Sequence, residues 1–191
     1  TEEQAAGIQK LAKMKPYIDL ERVGIWGWSG GGTNTLNAMF RKPDVYHVGI
    51  AVVPKPQPWL YNAWFQEIYM RTREVNAEGY ERSAPINFAE GLKGTLLIMT
   101  GSGETNTHIQ IIEGQIDRLI ELEKPFDYLV SLNSFKYSKA NRRGSRAAIS
   151  RRVHPACSGR ECFLLRVPSI HPHSCAMRSS ASSGLPQLTR R

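Results

Sequence analysis

Val23-Gly24-Ile25-Trp26-Gly27-Trp28-Ser29-Gly30-Gly31-Gly32 is the stretch whose reading decides the fold of this 191-residue chain. Residues 23–28 form a short apolar run of the kind that makes a buried strand. Behind the glycines, Thr35, Leu36, Met39 and Phe40 recur at helical spacing. Strand, sharp turn, helix is the setting in which G-x-S-x-G, here Gly27 to Gly31, presents a nucleophilic serine. The chemistry explains the pattern. The backbone at Ser29 must be strained for its hydroxyl to stand clear of the sheet, and side chains two residues to either side would collide, hence glycine at 27 and 31. The N–H of Gly30, at the helix N-terminus, then points to where an oxyanion would form. A glycine-rich turn that merely contains a serine is the plain alternative, and the flanking strand and helix argue against it.

Working outward, Ala5, Ile8, Leu11 and Met14 lie three apart and predict an amphipathic helix over 2–15, ended by Pro16. Residues 48–53, 95–100 and 126–130 read as three further buried strands, and Ile109, Ile112, Ile116, Leu119 and Ile120 predict a helix over 108–122. Pro54, Pro56 and Pro58 stop the second strand. The segment 54–94 is expected to be irregular, with one short helix around 62–70. Strands alternating with helices give an α/β class: a partial α/β-hydrolase fold, with a parallel sheet covered by helices on both faces and an irregular basic tail after it.

The net charge of +8 is unevenly placed. Residues 1–133 hold 13 Lys/Arg and 16 Asp/Glu, a net of −3, whereas residues 134–191 hold 12 Lys/Arg against Glu161 alone, a net of +11. Eleven serines and all three cysteines (Cys157, Cys162, Cys175) also lie in that last stretch. Two domains of unlike composition follow, 1–133 globular and 134–191 basic and rich in Ser and Arg. The second cannot bury enough to offset its ordering entropy and is expected to be largely disordered. Its abrupt onset and its excess of Arg, Ser, Pro and Ala read as translation out of frame. The chain opens on Thr1-Glu2-Glu3-Gln4 without the basic and apolar regions of a signal peptide or an initiator Met, and is read as a fragment or processed chain. No apolar run approaches the ~18 residues of a membrane span.

Around the elbow the chain resembles the prolyl oligopeptidase family of serine peptidases, in its dipeptidyl peptidase IV-like branch. The resemblance is carried by Asp19-x-x-Arg22-Val23-Gly24-Ile25-Trp26-Gly27-Trp28-Ser29-x-Gly31-Gly32 and Ala51-Val52-x-Pro54. It continues in Tyr61-Asn62-x-x-Phe65-Gln66-Glu67-x-Tyr69-Met70, Gly79-Tyr80-x-x-Ser83-x-Pro85-Ile86-Asn87 and Gly101-x-Gly103-x-x-Asn106-x-His108-x-Gln110. It covers residues 1 to about 133. It implies a peptide substrate, an acyl-enzyme on Ser29 and one oxyanion donor from Gly30. It also implies that Tyr61 and Phe65 wall a pocket for a small residue such as proline on the acyl side of the cleaved bond, and that Asn106 bonds the substrate backbone. A second oxyanion donor and the acidic pair that holds a substrate's amino terminus belong to family segments upstream of these motifs.

Two members of the triad depart from the pattern. Glu104, in the loop after the third strand, matches the triad acid, where the family has Asp. Glutamate can orient a histidine, but its extra methylene displaces the carboxylate by about 1 Å. After Phe126-Asp127-Tyr128-x-Val130 the family places the histidine within a few residues of a Tyr-Pro-Asn, whereas this chain reads Ser131-Leu132-Asn133-Ser134-Phe135-Lys136. Lys136 would stand near the base position, and a lysine keeps its proton near pH 7. His47 and His108 read as surface or capping residues, and His154, His171 and His173 lie in the tail without strand-end context. Asn62 replaces the family's Asp, and Ile68 its Arg. The chain as written is therefore expected to be inactive.

No cofactor is implied. Cys157-x4-Cys162 with the tail histidines lacks metal-ligand spacing, so no metal site is assigned. The tail's arginines would bind polyanions through charge alone. With one Tyr and two Phe for stacking, they argue against nucleic acid as the partner. A non-catalytic remnant with a polyanion-binding tail and an esterase of the same fold are the competing readings. The motif around Tyr61 favours the peptidase.

Overall fold

The computed structural model describes residues 1–131 and the backbone of 165–166. The expectations about the basic tail, Lys136, the three tail histidines and the cysteines lie outside the described residues. Four strands, β1 (Gly24–Trp28), β2 (Val48–Val52), β3 (Thr95–Gly101) and β4 (Asp127–Ser131), run parallel in that spatial order, and β5 (Leu165–Arg166) pairs antiparallel with β4. Trp28 pairs with Val52, Val52 with Met99, and Gly101 with Ser131, so the strand ends are level and form one edge. Helices α1 (Glu2–Met14), α2 (Gly30–Arg41) and α5 (Ile109–Glu121) match the three periodic segments of the sequence. None of the described helices is long and apolar enough to cross a membrane.

The segment between β2 and β3 is more regular than expected. Besides α3 (Ala63–Met70) it holds α4 (Ala77–Ser83) and a 3-10 turn over Pro85–Gly91. The signal for α4 was present in Asn76, whose side chain accepts a hydrogen bond from the N–H of Gly79 as an N-cap.

Period-2 alternation sorts the strands onto two buried faces. On one, Ala51, Leu96 and Ile98 pack against Leu36 and Met39 of α2 and Ile112, Ile116 and Leu119 of α5. On the other, Ile50, Val52, Leu97 and Met99 cluster with Val53, Trp28 and Leu129. Each such aliphatic side chain contributes roughly 1.5–3 kcal/mol by leaving water. Met39 lies over Gly49, where a Cβ would come within 2.8 Å of its sulfur.

Tyr128, on β4, carries a testable pH dependence. Burial, and then the negative charge of Glu113, push its phenol up to about 12, and its buried hydroxyl has no hydrogen-bond partner among the described residues. The unfolded chain ionises this group near pH 10 while the folded chain keeps the proton, so unfolding gains ground as pH rises. The stability it contributes is complete below about pH 10 and is lost towards about pH 12. Tyr128→Phe should flatten the fall in urea midpoint between roughly pH 10 and 12. An unchanged fall would assign it to other groups.

Candidate active site

The elbow is built as its sequence demands, with one correction. Ser29 has φ 55° and ψ −114°, left-handed backbone that a non-glycine residue adopts at a cost of about 1–3 kcal/mol. The strain is held by the neighbouring strand, since the Ser29 N–H donates to the Val52 carbonyl at 2.8 Å and extends the β1–β2 ladder into the turn. The Ser29 carbonyl accepts from the Thr33 N–H at 3.0 Å and from the Thr33 hydroxyl at 3.3 Å. The Ser29 side chain makes no capping bond to α2, and Gly30 is exposed as the first residue of that helix. A Cβ on Gly27 would fall inside the backbone of Gly31, whereas a Cβ on Gly31 would meet open space. The second steric demand falls on Gly32, whose Cβ would lie 2.7 Å from the Val52 carbonyl oxygen. Glycine is needed at 27 and 32, not at 27 and 31, because the first turn of α2 lies directly on β2.

The end of β2 is strained as well. Val53 is fully buried with φ 42°, an uncommon conformation for a β-branched residue, and its N–H donates to the Met99 carbonyl at 2.8 Å. This kink turns Pro54-Lys55-Pro56 back over the elbow helix, where the Lys55 N–H donates to the Thr33 hydroxyl at 2.8 Å. The Lys55 ammonium then lies 4.2 Å from the ring centre of Tyr61 and 4.7 Å from that of Phe65. The two rings meet edge to face, 5.8 Å apart.

After β3 the loop returns to the same place. The Tyr61 hydroxyl meets the Asn106 amide, 3.2 Å from Oδ1 and 3.0 Å from Nδ2. The Asn106 N–H donates to Glu104 Oε1 at 3.1 Å, and Glu104 is 5% exposed. Tyr61, Phe65, Asn106 and Glu104 thus form one connected group. Ser29 and Gly30 share its sheet edge, since Ser29 follows β1 and Glu104 follows β3, with β2 between them. The change at position 62 keeps its local job: Asn62 caps α3 by accepting from the Phe65 N–H at 3.2 Å. Ile68 points outward and is 60% exposed.

Of the described histidines, His47 is placed apart from this group. His47 immediately precedes β2 and bonds the backbones of Val23 and Thr95, which puts it at the opposite sheet edge, a strand length of about 17 Å away. His108 is exposed at the N-cap of α5 and makes no side-chain capping bond.

The sequence pattern of the prolyl oligopeptidase family matches residues 1–146. The chain belongs to the prolyl oligopeptidase family. Within it, the chain is 35% identical over 121 residues to the probable dipeptidyl peptidase 4 of Aspergillus clavatus, an overlap of 62% of this chain and 16% of that protein. It is 35% identical over 111 residues to dipeptidyl peptidase 4 of Trichophyton equinum, covering 57% of this chain and 14% of the relative. The crystal structure of Porphyromonas gingivalis dipeptidyl peptidase 4 superposes with a TM-score of 0.74 at 32% identity, over 80% of this chain and 22% of that one. The chain therefore spans about a sixth of the length of the curated relatives it matches.

Sequence reasoning missed three residues beside the group: Lys55, whose ammonium faces the aromatic pair, and Thr33 and Val53, which set the course of the Lys55 backbone. Lys55 did carry a signal: it is a lone cation between two prolines, directly after a buried strand end.

Proposed function

We propose that residues 1–133 supply the nucleophile side of a serine dipeptidyl peptidase site, and that residues 134–191 are an appendage to it. Ser29 Oγ attacks the carbonyl carbon of the scissile peptide bond, and the resulting oxyanion takes the Gly30 N–H. Collapse expels the amine and leaves a dipeptidyl ester on Ser29, which water then hydrolyses. Glu104 orients the imidazole that takes the Ser29 proton. That base is not His47. Tyr61 and Phe65 wall the pocket for the residue bearing the attacked carbonyl, and Asn106 bonds the substrate backbone.

The observation that carries this reading is the strained Ser29 backbone at a strand-to-helix turn, in a chain of this family. Its test is hydrolysis of a panel of Ala-Xaa p-nitroanilides, Ala-Pro among them, each measured against Ser29→Ala. Two proteins are compared: the 191-residue chain, and the Porphyromonas gingivalis relative carrying residues 1–131 in place of its own matching segment. Turnover that depends on Ser29 is expected only in the second, because Ser131-Leu132-Asn133-Ser134-Phe135-Lys136 holds no histidine where the family resemblance expects the base. Such turnover by the chain alone would mean that its residues beyond 131 complete the triad, and His154 would be the first to mutate. Absence of turnover from both would overturn the reading.

A further inference from the structure

We propose that Thr33 is a positioning residue for the oxyanion donor, its hydroxyl holding the Ser29–Gly30 peptide so that the Gly30 N–H keeps its aim. The inference rests on the peptidase reading of the site and adds to it a residue that acts through the backbone. The Ser29 carbonyl and the Gly30 N–H are the two ends of one peptide group. That group is planar, so whatever fixes the carbonyl also fixes the direction of the N–H. The Ser29 carbonyl accepts twice from Thr33, from its N–H at 3.0 Å and from its hydroxyl at 3.3 Å. The Gly30 N–H lies in the first turn of α2, where a donor has no acceptor within the helix.

The backbone bond from Thr33 belongs to any α-helix, but the hydroxyl bond has a support of its own. Thr35 shows the ordinary case, its hydroxyl donating to the Gly31 carbonyl four residues back at 3.0 Å. Thr33 makes the same backward bond, and its oxygen also accepts the Lys55 N–H at 2.8 Å from the segment that leaves β2. A hydroxyl has one proton and two acceptor sites. With the Lys55 N–H on the oxygen, the proton is directed to the Ser29 carbonyl. Val53, at φ 42°, and the flanking Pro54 and Pro56 restrict the backbone that delivers this N–H. The elbow, its helix and the exit of β2 meet on one oxygen atom.

Strain makes this restraint necessary. Ser29 sits at φ 55° and ψ −114°, and such a conformation persists only where the surroundings hold it. The Val52 carbonyl holds the N–H of Ser29 at 2.8 Å, and Thr33 holds its carbonyl. Bonds accepted by a carbonyl also polarise the peptide and strengthen its N–H as a donor. Both effects act where charge develops in the transition state, so Thr33 should move kcat rather than KM.

Two measurements test this. In the full 191-residue chain, NMR reads the carbonyl carbon shift of Ser29, the amide nitrogen shift of Gly30 and the hydrogen exchange of the Lys55 N–H. Thr33→Val keeps the shape and loses the hydroxyl. It should move both shifts and speed that exchange about tenfold or more, and Thr33→Ser should restore all three. Kinetics are then read in the Porphyromonas gingivalis relative carrying residues 1–131, on its most rapidly cleaved p-nitroanilide. Thr33→Val should lower kcat there about tenfold with KM within about twofold, and Thr33→Ser should recover it. Thr35→Val removes the neighbouring backward bond and should leave kcat within about twofold. Unmoved shifts or an unchanged kcat in Thr33→Val, a loss that Thr33→Ser does not rescue, or an equal loss in Thr35→Val would overturn this inference and leave the peptidase reading standing. No Ser29-dependent turnover in any of these proteins would overturn both.

Discussion

Gly27→Ala should destabilise the folded chain by about 3 kcal/mol or more, while Gly31→Ala, four residues away in the same motif, should stay within roughly 0.5 kcal/mol of neutral. The contrast comes from which way each missing Cβ points. On Gly27 it would occupy the backbone of Gly31, which cannot move without breaking the start of α2. On Gly31 it would face open space. Alanine at 31 also favours the helix intrinsically. Against a total stability of about 5–15 kcal/mol, the first change is severe. Urea denaturation followed by circular dichroism would read both. Equal losses at 27 and 31 would contradict the packing described for the elbow.

The largest expected effect is on turnover in the protein completed by the Porphyromonas gingivalis framework. Ser29→Ala should lower kcat/KM there by about 10^4-fold or more, about 5.4 kcal/mol of transition-state stabilisation. What remains would come from binding and the oxyanion donor. Glu104→Asp separates the two readings of the acid. If Glu104 orients the base, shortening it draws the carboxylate back by about 1 Å and should raise kcat by up to about 100-fold with little change in KM. If it is only a loop acid that holds the Asn106 N–H, kcat should not rise, because aspartate would only loosen that loop.

Much of this was legible in the sequence because it is local. The elbow is written in one ten-residue stretch, and its serine, its helix and its strand were placed from spacing alone. Continuous apolar runs at 48–53 and 95–100 announced strands buried on both faces, and the level strand ends then put Ser29 and Glu104 at one edge. What stayed hidden depends on contacts between segments far apart in the chain. Gly31 and Gly32 look equivalent on paper, and only the approach of β2 shows which one must lack a side chain. Lys55 lies six residues before Tyr61, and nothing in that separation says that a kink at Val53 will lay the ammonium on the ring. The resemblance around Tyr61 therefore implied an aromatic pocket wall, and only the three-dimensional neighbourhood shows the Lys55 ammonium lying against it.

The most direct test of the central claim is the intact mass and peptide map of the completed protein after treatment with dipeptidyl diphenyl phosphonates. Attack by an activated serine displaces phenoxide and leaves a stable phosphonate ester. The account predicts a single adduct on the peptide containing Ser29, lost in Ser29→Ala and accompanied by loss of turnover in equal measure. An adduct on another residue, or full inactivation with Ser29 unmodified, would contradict it.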